Sequence, residues 1–425
     1  MKLNYKRTFF IGLAFLSISA FWQIYDSLIP LILKHTFGIG DTLAGGIMAL
    51  DNVLALFMLP LFGTLSDKVR TSIGRRMPFI IGGTAAAVVF MVLIPVSDNL
   101  VNLPMFISVL FLTLVAMSTY RSPAVALMPD VTPKPLRSKA NGVINLMGAV
   151  GGIISLLLMS ALIPDTGKPN YLPIFAIVAG LMVTAVVILV LTIKENKLRE
   201  EIEKLQGHED DESERLSEHQ PLPYAVQRSL LFILLSIFFW FMAYNAVTTA
   251  FSKYAQEVLG MAGGGFANSM LLATAAAVVT FIPSGLIATR IGRKRTILIG
   301  IVFLFASFTV ASWFMSYSPF INVLLVTIGM GWALINVNSY PMVVEMAKGS
   351  DVGKFTGYYY TFSMAGQIIT PVLSGALLEY VGYRTLFPYA AFFSAVAFIT
   401  MSLVQHGDSR PTAPHDKLEL LDIED

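Results

Sequence analysis

GTLSDKVRTSIGRR, residues 63–76, is a short charged stretch between two long apolar runs, 43–64 and 78–97. It carries one acid, Asp67, among four basic residues and two glycines. A hydrocarbon core of about 30 Å is crossed by a helix of about 20 apolar residues, so each flanking run is long enough to span a bilayer. The charged stretch is therefore predicted to be a loop on one side of a membrane.

The rest of the chain repeats this alternation of apolar runs and polar turns. Of its 425 residues, 55% are hydrophobic and 13% are charged, whereas soluble domains average about 25% charged residues. The first run is too long for a signal-peptide core, and no cleavage pattern follows it, so we expect it to be retained. The sequence predicts an all-α integral membrane protein with twelve transmembrane helices: 8–33, 43–64, 78–97, 103–126, 140–163, 172–193, 229–251, 266–289, 296–316, 320–346, 354–378 and 385–404.

The basic residues fall almost entirely on one side of these spans. With the N-terminus in the cytoplasm, 25 of the 29 lysines and arginines are cytoplasmic, and only Lys34, Lys168, Lys253 and Arg384 are outside. Cytoplasmic loops of membrane proteins carry an excess of lysine and arginine. The pattern predicts a multi-pass protein of the cell membrane with both termini in the cytoplasm.

A charged break divides the spans into two sets of six. Residues 194–228 lack an apolar face, so we expect a solvated cytoplasmic linker that is partly helical at most. The predicted organisation is a six-helix bundle over 1–193, this linker, a second six-helix bundle over 229–404, and a polar cytoplasmic tail over 405–425.

The two halves resemble each other at matching places. GLIATRIGRKR, residues 285–295, follows the eighth run as 63–76 follows the second, and in both stretches a glycine is followed directly by two or more bases. The first run contains Trp22 and then the pair Tyr25-Asp26. The seventh run contains Trp240 and then the pair Tyr244-Asn245, in which an amide replaces the acid. Duplicated halves around a midplane site are typical of secondary transporters.

The stretch 63–76 resembles the signature loop of the major facilitator superfamily. The matching residues are Gly63, Asp67, Lys68, Gly74, Arg75 and Arg76. Five residues separate Lys68 from Gly74, and Pro78-Phe79-Ile80 follow. This longer form is similar to the glycoside–pentoside–hexuronide symporters and the related sucrose-type proton symporters.

Two further stretches, RSPAVALMPD (121–130) and RSKAN (137–141), are similar to the next cytoplasmic loop of the same group. The second signature loop departs from the pattern, because Thr289 stands where an aspartate is expected. The resemblance implies two pseudo-symmetric six-helix bundles. It also implies proton-coupled symport of a sugar or glycoside, such as sucrose or maltose, by alternating access.

Charged residues near the cytoplasmic ends of the spans are candidates for a gate. Charge-assisted hydrogen bonds among them can hold helix ends together and release them when the halves rock. The alternative is that the bases only reflect topology, but the aspartates among them favour a gate. The candidates are Asp67, Arg75, Arg76, Arg121, Asp130, Arg137 and Glu345.

Asp26 and Asp51 are candidates for ion coupling. Asp26 precedes Lys34 by 8 residues, and Asp51 follows Leu43 by 8 residues. At 1.5 Å per residue, both lie about 12 Å below the outer surface. A carboxylate at that depth must face the bundle interior or a water-filled cavity, and it can carry H⁺ or Na⁺. The alternative is a structural hydrogen bond or an ion pair, although Arg121 is expected to lie too deep toward the cytoplasm to be an easy partner.

A sugar site requires polar side chains beside flat apolar faces. Each such amide can instead join two helices, and each aromatic ring can simply pack. The candidate substrate-binding residues are Gln23, Tyr25, Asn52, Asn145, Tyr244, Asn245, Asn336, Tyr360 and Gln367.

Other functions have weaker support in the sequence. A proton-driven exporter of drugs or other small molecules is an alternative, although GAVGG (148–152) lacks the proline of the exporter motif, and its glycines favour helix packing. A sugar sensor without transport is another. We expect no enzyme activity, metal or cofactor and no nucleic-acid partner. The expected partners are a small molecule and the lipid bilayer, and the expected state is a monomer.

Overall fold

The computed structural model describes residues 3–133, 136–206, 223–346 and 352–407. All regular elements in these ranges are helices, and twelve of them are long and apolar enough to cross a membrane, which confirms the predicted fold class. These twelve are α1 (Tyr5–His35), α2 (Asp41–Lys68), α3 (Met77–Asn99), α4 (Leu103–Asp130), α5 (Arg137–Leu162), α6 (Leu172–Thr192), α8 (Tyr224–Glu257), α9 (Gly265–Ile291), α10 (Arg293–Ala311), α11 (Pro319–Val344), α12 (Val352–Tyr380) and α13 (Leu386–Ser402). A 3-10 helix, Tyr383–Thr385, precedes α13.

The chain divides into two compact units. Unit 1 comprises residues 1–39, 50–206 and 261–271, and unit 2 comprises residues 40–49, 207–260 and 272–425. The start of α2 therefore belongs to unit 2, and residues 261–271, with the start of α9, belong to unit 1. Linker residues 207–222 and the tail from residue 408 lie outside the described ranges.

Unit 1 packs closely where α1 meets α5. A Cβ atom added at Gly151 would lie 2.0 Å from the carbonyl oxygen of Leu16, so only glycine fits this contact. Four residues later on α5, the hydroxyl of Ser155 donates a 2.8 Å hydrogen bond to the carbonyl oxygen of Ala20. Small residues let membrane helices approach one another in this way. The expectation that the 148–152 glycines serve packing is confirmed at Gly151.

Unit 2 uses the same kind of contact between α10 and α11. A Cβ atom at Gly300 would lie 2.6 Å from the carbonyl oxygen of Gly331. Nearby, the buried amide of Asn338 donates to the Ser284 hydroxyl at 2.9 Å and to the Leu334 carbonyl at 2.8 Å. These hydrogen bonds satisfy a polar group that lipid cannot hydrate.

Helix α7 (Glu195–Gln206) differs from the solvated linker that the sequence predicted. Glu195 is fully buried, and Ile202 is 6% exposed. The amide of Asn196 donates to the Thr71 carbonyl at 2.9 Å. The expectation of a wholly solvated linker is therefore wrong for α7. Polar groups of the 69–76 loop attach this helix, and apolar periodicity does not reveal such an attachment.

Candidate functional site

Asp26 on α1 and Asp51 on α2 form an acid pair within unit 1. Their carboxylates are close enough to repel each other electrostatically. Both side chains are partly exposed although each lies in a membrane-length helix. Asn52 donates to Asp51 Oδ1 from its backbone at 2.6 Å and from its side chain at 2.8 Å. The Asp26 carboxylate accepts no hydrogen bond from any described residue.

Arg121 on α4 lies beside this acid pair. Its guanidinium carbon is 5.8 Å from the centre of the Trp22 ring, and its charge attracts Asp51. Trp22 meets the buried ring of Tyr25 edge to face at 5.3 Å. The expectation that Arg121 is too deep to be an easy partner is wrong for Asp51, because α4 continues as far as Asp130 and leaves Arg121 well inside the helix.

The two remaining amides of unit 1 lie on neighbouring helices. Gln23 donates from Nε2 to the hydroxyl of Ser27 at 3.2 Å, one turn further along α1. Asn145 is partly exposed on α5, the helix that packs against α1. Both amides lie on helices that could line a substrate path, but the hydrogen bond that Gln23 donates stays within α1.

Asp67, Arg75, Arg76 and Asp130 form an arginine network where α2 ends, α3 begins and α4 ends. Asp130 accepts from Arg75 Nη2 at 2.6 Å and from Arg76 Nε at 2.9 Å. Asp67 accepts from Arg76 Nη2 at 2.5 Å. Desolvation lowers the pKa of the Arg75 guanidinium, but hydrogen bonding and attraction from Asp130 outweigh it, so the pKa is raised above its usual value. The network therefore joins three helix ends through charge-assisted bonds.

Three gate candidates lie outside this network: Arg121, which lies beside the acid pair, Arg137 and Glu345. Arg137 donates to the carbonyl oxygens of Pro129 at 2.9 Å and Thr132 at 3.3 Å, so it binds the chain at the end of α4. Glu345 forms an ion pair with Arg293 in unit 2. That pair joins the end of α11 to the start of α10, much as Asp130 joins α4 to α3.

An aromatic stack distinguishes unit 2. The rings of Tyr244 on α8 and Trp332 on α11 lie parallel, with centroids 3.8 Å apart and planes at 5°. Phe241 meets Trp332 edge to face at 5.2 Å. Beside Tyr244, the buried Oδ1 of Asn245 accepts no hydrogen bond from any described residue. A stacked aromatic pair and an acceptor without a partner among the described residues therefore start from consecutive positions of α8.

The other predicted residues of unit 2 lie on α11 and α12. Tyr360 meets Tyr359 edge to face at 5.4 Å. Gln367 donates from Nε2 to the Ser363 carbonyl at 3.4 Å, within its own helix. Asn336 is partly exposed on α11.

A buried ion pair at the start of α2 was not predicted. Asp41 and Lys253 lie 2.5 Å apart, with side chains 7% and 5% exposed. The hydroxyl of Tyr383 also donates to Asp41, and Glu379 accepts from the Thr42 backbone at 2.8 Å. All five residues belong to unit 2. Asp41 stands at a recognisable helix start, but its partners are more than 200 residues away in sequence, so no local pattern could reveal the pair.

Solved structures share this fold over almost the whole chain. A variant of the nucleoside transporter NupG aligns with 95% of this chain and all of its own, at a TM-score of 0.69 and 14% identity. The POT family transporter PepTSo covers 95% of this chain and 97% of its own, at a TM-score of 0.67 and 12% identity. At such identities the likeness shows the fold alone.

Sequence relatives are matched over shorter regions. The MFS-type transporter ppzB of Metarhizium rileyi is 29% identical over 142 residues, which cover 32% of this chain and 29% of the relative. An uncharacterized symporter of Synechocystis is 24% identical over 176 residues, which cover 38% of this chain and 32% of the relative. The matches thus span about a third of each curated relative's length.

The family match covers nearly the whole chain. Residues 11–341 and 265–421 match the Major Facilitator Superfamily, which agrees with the twelve helices and with the duplicated loops. The protein therefore belongs to the Major Facilitator Superfamily, whose members are transporters and not enzymes.

Proposed function

We propose that this protein is a secondary active transporter that carries a sugar or glycoside together with a proton by alternating access. It would lie in the cell membrane with both termini in the cytoplasm. The acid pair is the observation that carries the proposal. Asp26 and Asp51 are partly exposed carboxylates within membrane-length helices, and such residues typically mark ion pathways.

The charges around the acid pair favour the binding of one cation. Two ionised carboxylates repel each other, and Arg121 supplies a single positive charge near Asp51. A proton on Asp26 would remove that repulsion and leave the group neutral. Na⁺ could do the same through its charge, so it is the alternative coupling ion. No cofactor is required for either.

The substrate class is argued from the amides and aromatic rings. A sugar offers hydroxyl groups that pair with amides and flat faces that pack on aromatic rings. Asn245 beside the stack of Tyr244 and Trp332 supplies both features. The Synechocystis relative is named a symporter, which supports coupled transport. The loop resemblance to sugar symporters supports the choice of substrate.

The arginine network is proposed as the cytoplasmic gate. It holds the ends of α2, α3 and α4 together through Asp67 and Asp130. The pair of Arg293 and Glu345 would serve the same purpose in unit 2. Opening toward the cytoplasm would require these bonds to break and to form again in each cycle.

The test is proton movement in proteoliposomes that contain the purified protein. Glucosides, including sucrose and maltose, are added one at a time while external pH is recorded. Asp26→Asn tests the coupling residue, and Glu200→Gln, an exposed carboxylate on α7, is the matched control. We expect alkalinisation with at least one sugar, its loss in Asp26→Asn, and no change in Glu200→Gln.

Sugar counterflow without an ion gradient separates coupling from binding. Asp26→Asn should still exchange the sugar, because the variant removes the proton carrier and keeps the fold. Uptake that follows Na⁺ would replace the ion and keep the transporter. Absence of flux for every sugar under either gradient would refute the symporter and favour an exporter or a sensor.

A further inference from the structure

Glu195 occupies the N-terminus of α3 although it belongs to α7. Its Oε1 accepts hydrogen bonds from the backbone N–H groups of Arg75 at 2.9 Å and Arg76 at 3.1 Å. Its Oε2 accepts from Arg76 at 3.1 Å and Met77 at 3.2 Å. Glu195 is 0% exposed. One buried carboxylate thus binds three consecutive backbone donors.

These donors are the groups that a helix start leaves without partners. The first N–H groups of an α-helix have no intrahelical acceptor, and they concentrate positive partial charge. Arg76 precedes α3 and makes no side-chain cap of its own. A carboxylate supplied by α7 therefore fulfils the capping role and adds the stronger bonding of an ionised acceptor.

The loop before α3 is shaped around this carboxylate. Gly74 has a φ of +126°, and a Cβ atom there would lie 2.1 Å from Glu195 Oε2. Asn196 makes a second attachment through Nδ2 to the carbonyl oxygens of Thr71 at 2.9 Å and Ser72 at 3.2 Å. Two successive residues of α7 therefore bind one loop, and a side chain at Gly74 would displace the first of them.

Two of the three residues whose backbone Glu195 binds are the arginines of the network. Their guanidinium groups hold Asp130, and that of Arg76 also contacts Asp67 and Ser66. A shift of the backbone at these two positions would move both guanidinium groups away from acceptors that lie on α2 and α4. Glu195 thus holds the backbone from which both guanidinium groups of the network project.

We propose that Glu195 is a positioning residue for the arginine network, and that through it the linker between the two halves is coupled to the cytoplasmic gate. The proposal rests on the proposed gating function of that network. Glu195 itself contacts neither ion nor substrate. It acts through the backbone of Arg75 and Arg76, and its departure would loosen the bonds that join three helix ends.

The test uses a buried reporter, because the chain has no natural cysteine. Ser66 is 0% exposed and contacts Arg76 within the network. Ser66→Cys is combined with Glu195→Gln, with Glu195→Asp, or with Glu200→Gln, the exposed control on the same helix. The rate of alkylation by N-ethylmaleimide is measured in native-like membranes. Ser155→Cys, buried between α5 and α1, reports general unfolding.

We expect Glu195→Gln to raise the Ser66→Cys alkylation rate about tenfold, since charge-assisted bonds to three donors are weakened. Glu195→Asp should raise it less, while Glu200→Gln and the Ser155→Cys reporter should not change. An unchanged rate at Ser66→Cys would overturn the assignment. A parallel rise at both reporters would also overturn it, because Glu195 would then stabilise the fold in general. The assay needs no substrate, so it is independent of whether a sugar is transported.

Discussion

Lys253→Met should reveal how much the buried ion pair at the start of α2 contributes to the stability of unit 2. The substitution leaves the Asp41 carboxylate 7% exposed without the ammonium group that lies 2.5 Å away. Removing one partner of a buried pair costs about 3–5 kcal/mol, because the other charge stays buried. Tyr383 still donates to Asp41, so we expect the lower end of that range, about 3 kcal/mol.

Thermal unfolding in detergent, followed by tryptophan fluorescence, measures the loss. Unit 2 contains three of the four tryptophans, Trp240, Trp313 and Trp332. In a unit of about 200 residues, 1 kcal/mol corresponds to about 2–4 °C in Tm. The Tm of Lys253→Met should therefore fall by about 6–12 °C. Arg290→Met, at an exposed site of unit 2, should change stability by less than about 0.5 kcal/mol.

A double variant distinguishes the ion pair from lost packing. Asp41→Asn with Lys253→Met removes both charges, and replacement of a buried pair by neutral groups is often close to neutral in free energy. The double variant should therefore be more stable than Lys253→Met alone. If its Tm instead falls by the sum of the two single losses, the two side chains are not coupled and the reasoning is refuted.

Three further predictions use matched pairs of variants and the same Tm measurement. Gly151→Ala should lower Tm by several degrees, because its Cβ would lie 2.0 Å from a backbone oxygen of α1. Gly152→Ala should leave Tm unchanged, because its Cβ would lie 3.6 Å from the nearest atom, Gln23 Oε1. Equal effects of the two variants would contradict the packing. Asp130→Asn should lower Tm more than Asp67→Asn, since their side chains are 14% and 50% exposed, and the reverse order would be inconsistent with the network. Tyr244→Leu should lower the free energy of unfolding by about 0.5–1.5 kcal/mol more than Tyr244→Phe, because only phenylalanine keeps the stacked ring; equal losses would show that stacking contributes nothing.

The fold could be predicted because the bilayer dictates its elements. A span needs about 20 apolar residues, so hydropathy alone gave twelve helices, and their number agrees with the structure. The charged loops could be predicted as readily, because Asp67 and the basic residues around it interrupt the apolar sequence. Helix boundaries were less predictable. The extension of α4 to Asp130 placed Arg121 beside the acids and away from the expected gate.

The long-range polar contacts could not be read from the sequence. Glu195 is one acid in a stretch rich in charge, and nothing local indicates that it is buried against three backbone donors. Lys253 was assigned to the outer side by charge counting, yet it is paired and buried. In both cases the partner is set by the packing of helices distant in sequence, which periodicity does not encode.

The acid pair and its arginine have a consequence for membrane voltage. With both carboxylates ionised, Asp26, Asp51 and Arg121 sum to one negative charge, and a single bound proton brings the sum to zero. A charge that crosses the whole field contributes about 2.3 kcal/mol per 100 mV. Asn245 takes the matching place in the second half and carries no charge. The potential would then act on the empty carrier during its return and leave the loaded form almost unaffected, so voltage would set how fast the empty carrier returns.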